Sequence, residues 1–244
     1  MKVVCIMQAR VGSSRLPAKV LKKIAGKTVL EHDVDRLNRV KSIDEIVIAT
    51  TIEERDYKIV DEANRLGVKF FRGSEDDVLS RYYFAAKENN ADVVVRVTSD
   101  CPLLDSKVTD EIIRFYLDNY PRYDYVSNTL DRTYPRGLDT EVFSFKALEK
   151  AFYEAKEDFQ REHVTPFIWD NNKEFINYQF KQSEDNSNLR LTLDTEEDLK
   201  LITEVYSELY DDNNNFGLEE VTSLFKRRPE LIDINKEIEQ KKIK

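Results

Sequence analysis

Apolar positions along the chain fall into short continuous runs separated by longer amphipathic stretches. Val3 to Ile6, Glu45 to Thr50, Val68 to Phe71 and Asp92 to Thr98 are β-rich, and the last is almost entirely β-branched, as in a central strand apolar on both faces. Between them, Val29, Leu30, Val34, Leu37 and Val40 recur at near-helical spacing, with Glu31, Asp35, Arg36 and Arg39 filling the other side. Glu53 to Leu66 reads as a charged amphipathic helix stopped by Gly67, and a further helix runs to about Asn89 with Ser74 or Asp76 as its cap. This alternation predicts an α/β fold, a Rossmann-like three-layer α/β/α sandwich with a mostly parallel central sheet.

The second half continues less regularly. A helix from about Ser106 to Asn119 follows Asp105, its expected cap, and strands are expected over Tyr123 to Asn128, through Asp139 to Phe143, over Glu174 to Phe180 and over Leu189 to Asp194. Helices are expected over Phe145 to Glu157, Thr195 to Tyr210 and Leu218 to Phe225, with Thr195 and Asp198 forming a capping-box-like pattern. An Asn/Asp-rich loop, Asp211 to Asn215, interrupts the last two, and the basic tail Lys241 to Lys244 is expected to fray. The whole of 1–244 reads as a single domain, with about 211–244 a peripheral helical extension.

The first strand-to-helix connection carries the densest chemistry: Met7-Gln8-Ala9-Arg10-Val11-Gly12-Ser13-Ser14-Arg15-Leu16-Pro17-Ala18-Lys19. Connections of this kind form the ligand crevice of α/β sheets. Three cations (Arg10, Arg15, Lys19), two hydroxyls and one glycine suit a polyphosphate. The loop is neither a Walker A sequence nor a G-x-G-x-x-G fingerprint, so kinase, GTPase and dinucleotide-dehydrogenase readings lose their local support. After the fourth strand, Thr98-Ser99-Asp100-Cys101-Pro102 brings a carboxylate to the same sheet edge; because Asp105 is the better cap, Asp100 is left for a hard cation.

Composition narrows the partners. The 244 residues are 41% hydrophobic and 35% charged with a net charge of −9, which argues against a nucleic-acid backbone as partner. No apolar run approaches the roughly 18 residues that span a bilayer, so a cytoplasmic protein without a membrane partner is expected. Cys5 and Cys101 read as reduced thiols, and His32 as structural.

Gln8-Ala9-Arg10, Ser13-Ser14-Arg15-Leu16-Pro17 and Lys19-Val20-Leu21 resemble the signature loop of the sugar nucleotidyltransferases that activate sugars with CTP. Within that group the likeness is to the cytidylyltransferase-like proteins of spore coat polysaccharide biosynthesis, relatives of the acylneuraminate and 3-deoxy-manno-octulosonate cytidylyltransferases. Ala18 stands where a glycine usually precedes the lysine, a mild change unless that position needs a positive φ.

The resemblance implies a nucleotide-diphospho-sugar transferase fold, CTP and a sugar or sugar acid as substrates, Mg²⁺ as cofactor, and a homodimer, for which the tyrosine-rich stretch Tyr116 to Tyr125 would be a compatible surface. It assigns the triphosphate and its charge to Arg10, Arg15 and Lys19, and nucleotide contacts to Gln8, Ala9, Gly12, Ser13, Ser14, Arg72, Gly73 and Thr98. Arg72 would meet the cytosine. Metal ligation falls to Asp100 and, through the likeness of Leu191-Thr192-Leu193-Asp194-Thr195 to a family segment, to Asp194. Sugar contacts fall to Asp139 and Glu141, expected on one face of their strand, and to Arg161 and His163. Two other classes compete. A glycosyltransferase would use a preformed sugar nucleotide and normally carries an Asp-x-Asp metal motif after a strand, but Asp33-Val34-Asp35, which has that spelling, sits in a helical pattern. A non-catalytic nucleotide-binding protein would release no pyrophosphate.

Overall fold

A computed structural model describes residues 1–210 and 215–240. In chain order the elements are β1 (Val3–Gln8), a small hairpin of β2 (Lys23–Ile24) and β3 (Lys27–Thr28), α1 (Val29–Leu37), β4 (Glu45–Thr51), α2 (Tyr57–Leu66), β5 (Lys69–Gly73), α3 (Val78–Glu88), β6 (Val93–Thr98) and α4 (Ser106–Asp118). Then come β7 (Tyr125–Ser127), β8 (Glu141–Ser144), α5 (Phe145–Glu154), α6 (Asp158–His163), α7 (Pro166–Trp169), β9 (Asn177–Gln179), α8 (Glu196–Leu209) and α9 (Leu218–Arg227). The main sheet runs β5-β4-β1-β6-β8-β7-β9. All its pairings are parallel except those of β8 with β6 and β7.

The chain moves outward from β1 through β4 to β5 and returns to β6 on β1's other side. That reversal is where a crevice opens beyond the strand ends. The register sets its floor: Gln8 lies opposite Thr98, so the loop after β1 and the segment Ser99 to Asp105 leave the sheet side by side. Val4, Ile6 and Val94 point to one face with α3 and α5, while Cys5, Met7, Val93 and Val95 point to the other with α1 and α4. Burial on both faces explains the uninterrupted apolar runs.

Local chemistry sets the helix starts. Asp105 caps α4 and Thr195 caps α8 in a capping box with Asp198, as expected, but α3 is capped by Asp77, with Ser74 Oγ accepting from the Asp77 amide. The expected helix over Phe145 to Glu157 ends at Glu154, and Arg161 lies near the end of the separate short α6. Leu189 to Asp194 forms no strand: apart from a bridge between Arg190 and Arg136, it is an extended segment docked by Leu193 N–H on Asp100 O and by Leu191 N–H on Arg136 O. Gly137, at φ +101°, permits that docking, since a Cβ there would lie 2.5 Å from Leu191 C.

The C-terminal part is not peripheral. Leu224, Phe225 and Leu231 are buried in one core with Leu16, Ile24, Leu103 and Leu201, and the buried Arg36 donates to Phe216 O. Tyr116 and Tyr125, expected on an exposed face, are fully buried. Residues 211–214 of the Asn/Asp-rich loop and the tail expected to fray, 241–244, lie outside the described residues. No helix among the described residues is long and apolar enough to cross a membrane.

Candidate nucleotidyl-transfer site

The loop after β1 is tied down before it can bind anything. Val11 N–H donates to Asp56 Oδ1 at 2.7 Å, Ala18 N–H returns to Val11 O, and Ser13 Oγ accepts from Leu16 N–H. Asp56 is fully buried and takes the Thr51 hydroxyl on its other oxygen. Gly12 passes beneath Arg55, whose guanidinium a Cβ would approach to 3.3 Å. The loop turns into Lys19 through Ala18, which adopts the left-handed conformation, φ 53° and ψ 29°.

Lys19 is the centre of the site. Its Nζ lies 2.5 Å from Asp100 Oδ2 and 2.7 Å from Asp194 Oδ1, joining the two carboxylates expected to converge. Asp100 is oriented by the Thr98 hydroxyl, which donates to Oδ1 at 2.6 Å. Asp194 Oδ2 also accepts from Arg15 and Arg190, each at 2.9 Å. Burial works against the Lys19 ammonium, but the two carboxylates outweigh it and raise its pKa above the ordinary lysine value. Burial likewise disfavours the Asp194 carboxylate, yet Lys19, Arg190 and Arg15 together hold it below the usual range. Two carboxylate oxygens already meet on one cation here; with phosphate oxygens and water, that donor set suits Mg²⁺.

Behind Asp194 stands an unanticipated hub. Asp198 is fully buried and accepts from Arg190 Nε and Nη2, the amides of Asp194 and Thr195, and Asn235 Nδ2. Arg190 is thereby held against Asp194. Sequence periodicity carried no sign of Arg190 or Asn235, because their partners are set by how the extended segment and the C-terminal turn dock.

A cavity of about 600 Å³ opens over Lys19 and Asp100, lined also by Gln8, Ala9, Arg10, Thr98, Glu75, Arg81, Arg161 and His163. A second cavity of about 540 Å³ adjoins it, sharing Glu75, Asp76 and Arg81 and lined by Arg72 and Gly73. Gly12, Ser13, Ser14 and Arg15 lie along the loop itself, with Arg15 reaching Asp194.

Several expected ligand contacts have internal partners instead. Arg72 donates to the carbonyls of Thr51 and Glu53 and stacks 4.0 Å from the Tyr57 ring. Glu141 is 5% exposed, and its oxygens accept from Arg96, Tyr125 and Thr165. Asp139, just before β8 rather than on a shared face with Glu141, is held by both terminal nitrogens of Arg132. Arg161 donates to Phe152 O and to Asp77. Of these four, Arg161 lines the first cavity and Arg72 the second, while Glu141 and Asp139 line neither. His163 faces the cavity, its pKa lowered by burial, and it precedes Val164, whose φ of 73° turns the chain so that Thr165 reaches Glu141.

Residues 4–229 match the family model described as Cytidylyltransferase. A protein of Methanocaldococcus jannaschii is 41% identical over 243 residues, spanning 99% of this chain and 97% of its own. The spore coat polysaccharide biosynthesis protein SpsF of Bacillus subtilis is 31% identical over 236 residues, 93% of this chain and 95% of its own. Among solved structures, a cytidylyltransferase from Leptospira borgpetersenii superposes with a TM-score of 0.91 at 34% identity, covering 99% of this chain and 100% of that one. A CMP:2-keto-3-deoxy-manno-octonic acid synthetase complexed with CTP shares the fold, with a TM-score of 0.67 at 17% identity over 85% of this chain and 99% of its own.

Proposed function

This chain belongs to the cytidylyltransferase family, and from that premise we propose that it transfers CMP from CTP to a sugar or sugar acid, releasing pyrophosphate, in the synthesis of a surface polysaccharide. The observation that carries this reading is the meeting of Asp100 and Asp194 on Lys19, with Lys19 and Asp100 lining a cavity of about 600 Å³.

Arg15 and Lys19, now neutralising carboxylates, would turn towards phosphate oxygens, and Arg10, half exposed at the cavity rim and 3.5 Å from Glu75, would follow. Asp100 and Asp194 would hold Mg²⁺, which when bound supplies the positive charge that a reacting phosphate needs. The loop's own contribution is positioning and charge neutralisation, which is most of what phosphoryl transfer asks of a protein. Asp56 fixes the loop, Thr98 aims Asp100, and the Arg190–Asp198 pair aims Asp194. The glycosyltransferase alternative finds no support at the cavity: Asp33 and Asp35 lie in α1, and Asp33 is buried.

The test is thermal stability against CTP, UTP, ATP, GTP and dTTP, each with and without Mg²⁺, because a ligand of the native state raises the melting temperature by mass action. A shift selective for CTP and strengthened by Mg²⁺ is expected, followed by pyrophosphate release when sugar acids are supplied. Lys19→Ala and Asp100→Asn should each remove most turnover while remaining folded. A shift with UDP-sugars and none with CTP would overturn the reading.

A further inference from the structure

Arg81 is a charged side chain that the mechanism above does not use. It lies in the opening turn of α3, is 2% exposed, and lines both cavities. Its stem packs on Gly73, where a Cβ would come within 2.9 Å of Arg81 Cγ. Nη1 donates to Ser74 O at 3.0 Å, and Nε is buried with no partner among the described residues. The nearby carboxylates are engaged elsewhere: Glu75 with Arg55 and Arg10, and Asp56 with Val11 and Thr51. Burial works against its charge, and Arg10 adds repulsion.

A rigid, buried guanidinium with one carbonyl partner is expensive to keep. The fold maintains it where the two cavities join. The connections after β5 and β6 leave the sheet edge three strands apart, about 14 Å at ordinary strand spacing. With phosphates at Lys19 and Asp100, a nucleotide laid along this edge brings its base towards the β5-α3 connection.

We propose that Arg81 is the base-reading residue of the site, presenting its guanidinium to two adjacent acceptors, O2 and N3 of a cytosine. The proposal rests on the cytidylyl reading above. A uracil offers O2 but turns an N3–H donor towards the same guanidinium, so donor faces donor. A site built to pair with a ligand's polar group rejects an analogue that leaves the protein group unpaired far more strongly than an apolar pocket rejects a misfit. Gly73 has its role in the same device, since only a residue without a side chain leaves room for the Arg81 stem.

The experiment is isothermal titration of the full chain with CTP, UTP and 3-deaza-CTP, in which a C–H replaces the N3 acceptor, all with Mg²⁺. Wild type should bind 3-deaza-CTP and UTP at least about 10-fold more weakly than CTP. In Arg81→Met the three should converge to within about 3-fold, and Arg81→Lys, which keeps charge but not the planar fork, should not restore discrimination. The analogue series on wild type stands even where a variant fails to fold. Equal binding of CTP and 3-deaza-CTP by wild type overturns the Arg81 assignment alone; absence of binding by every nucleotide overturns it together with the cytidylyl reading.

Discussion

Replacing Ala18 by glycine should stabilise this protein. Ala18 carries φ 53° and ψ 29° at the point where the loop after β1 turns into Lys19. For a residue with a Cβ, that left-handed conformation costs roughly 1 to 2 kcal/mol. Glycine removes the cost but adds conformational freedom to the unfolded chain, which returns roughly 0.5 to 1 kcal/mol. The net expectation is about 0.5 to 1 kcal/mol in favour of Ala18→Gly, or about 1 to 4 °C in melting temperature for a chain of this size. Ala25, at φ 48° in the turn joining β2 and β3, provides a comparison, and Ala25→Gly should give a gain of the same order. Ala18→Val should lose stability, because β-branching is least tolerated at positive φ. Scanning calorimetry without nucleotide measures all three. An Ala18→Gly protein that melts at or below the wild-type temperature, with Ala25→Gly also unimproved, refutes the strain argument.

Glu141→Gln should cost about 3 kcal/mol in denaturant unfolding, because it removes the counter-charge of Arg96 from the buried end of that ion pair. The Asp194 carboxyl titrates below its unfolded value, so its charge contributes stability that is fully present above that value and drains away as pH falls through the folded one. Asp194→Asn should therefore flatten the acid limb of the stability profile below about pH 4, and a limb as steep as wild type would show that this carboxylate is not what titrates there.

Much of this was legible in the sequence, because it depends on local order. Uninterrupted β-branched runs, amphipathic spacing and the caps Asp105 and Thr195 placed the elements, and the clustering of Arg15, Lys19 and Asp100 around strand ends marked the crevice. Partnership was less legible. Glu141 and Arg161 have the chemistry of ligand contacts, but whether a carboxylate faces a cavity or an arginine from the next strand depends on register across the sheet. The Ala18 substitution was visible while its cost was not, since φ is set by how Val11 and Ala18 close the loop. Asp77 competes with Ser74 and Asp76 for one cap, and composition does not choose between neighbours of similar propensity. Leu189 to Asp194 looks like a strand because it is buried and extended, although its docking partners are mostly loops.

The Asp198 hub has a consequence for the order in which the protein matures. Asn235 reaches across to both Asp198 and the Arg190 carbonyl, and Gln240 accepts from Arg190 Nη1. A growing polypeptide thus carries the loop after β1 first and Asp100 later, yet the side chains that hold Asp194 wait for Asn235, 45 residues beyond Arg190. Cleavage upstream of Asn235 would remove two groups that hold Arg190 and Asp198, loosening Asp194 from a distance without touching Lys19 or Asp100 directly.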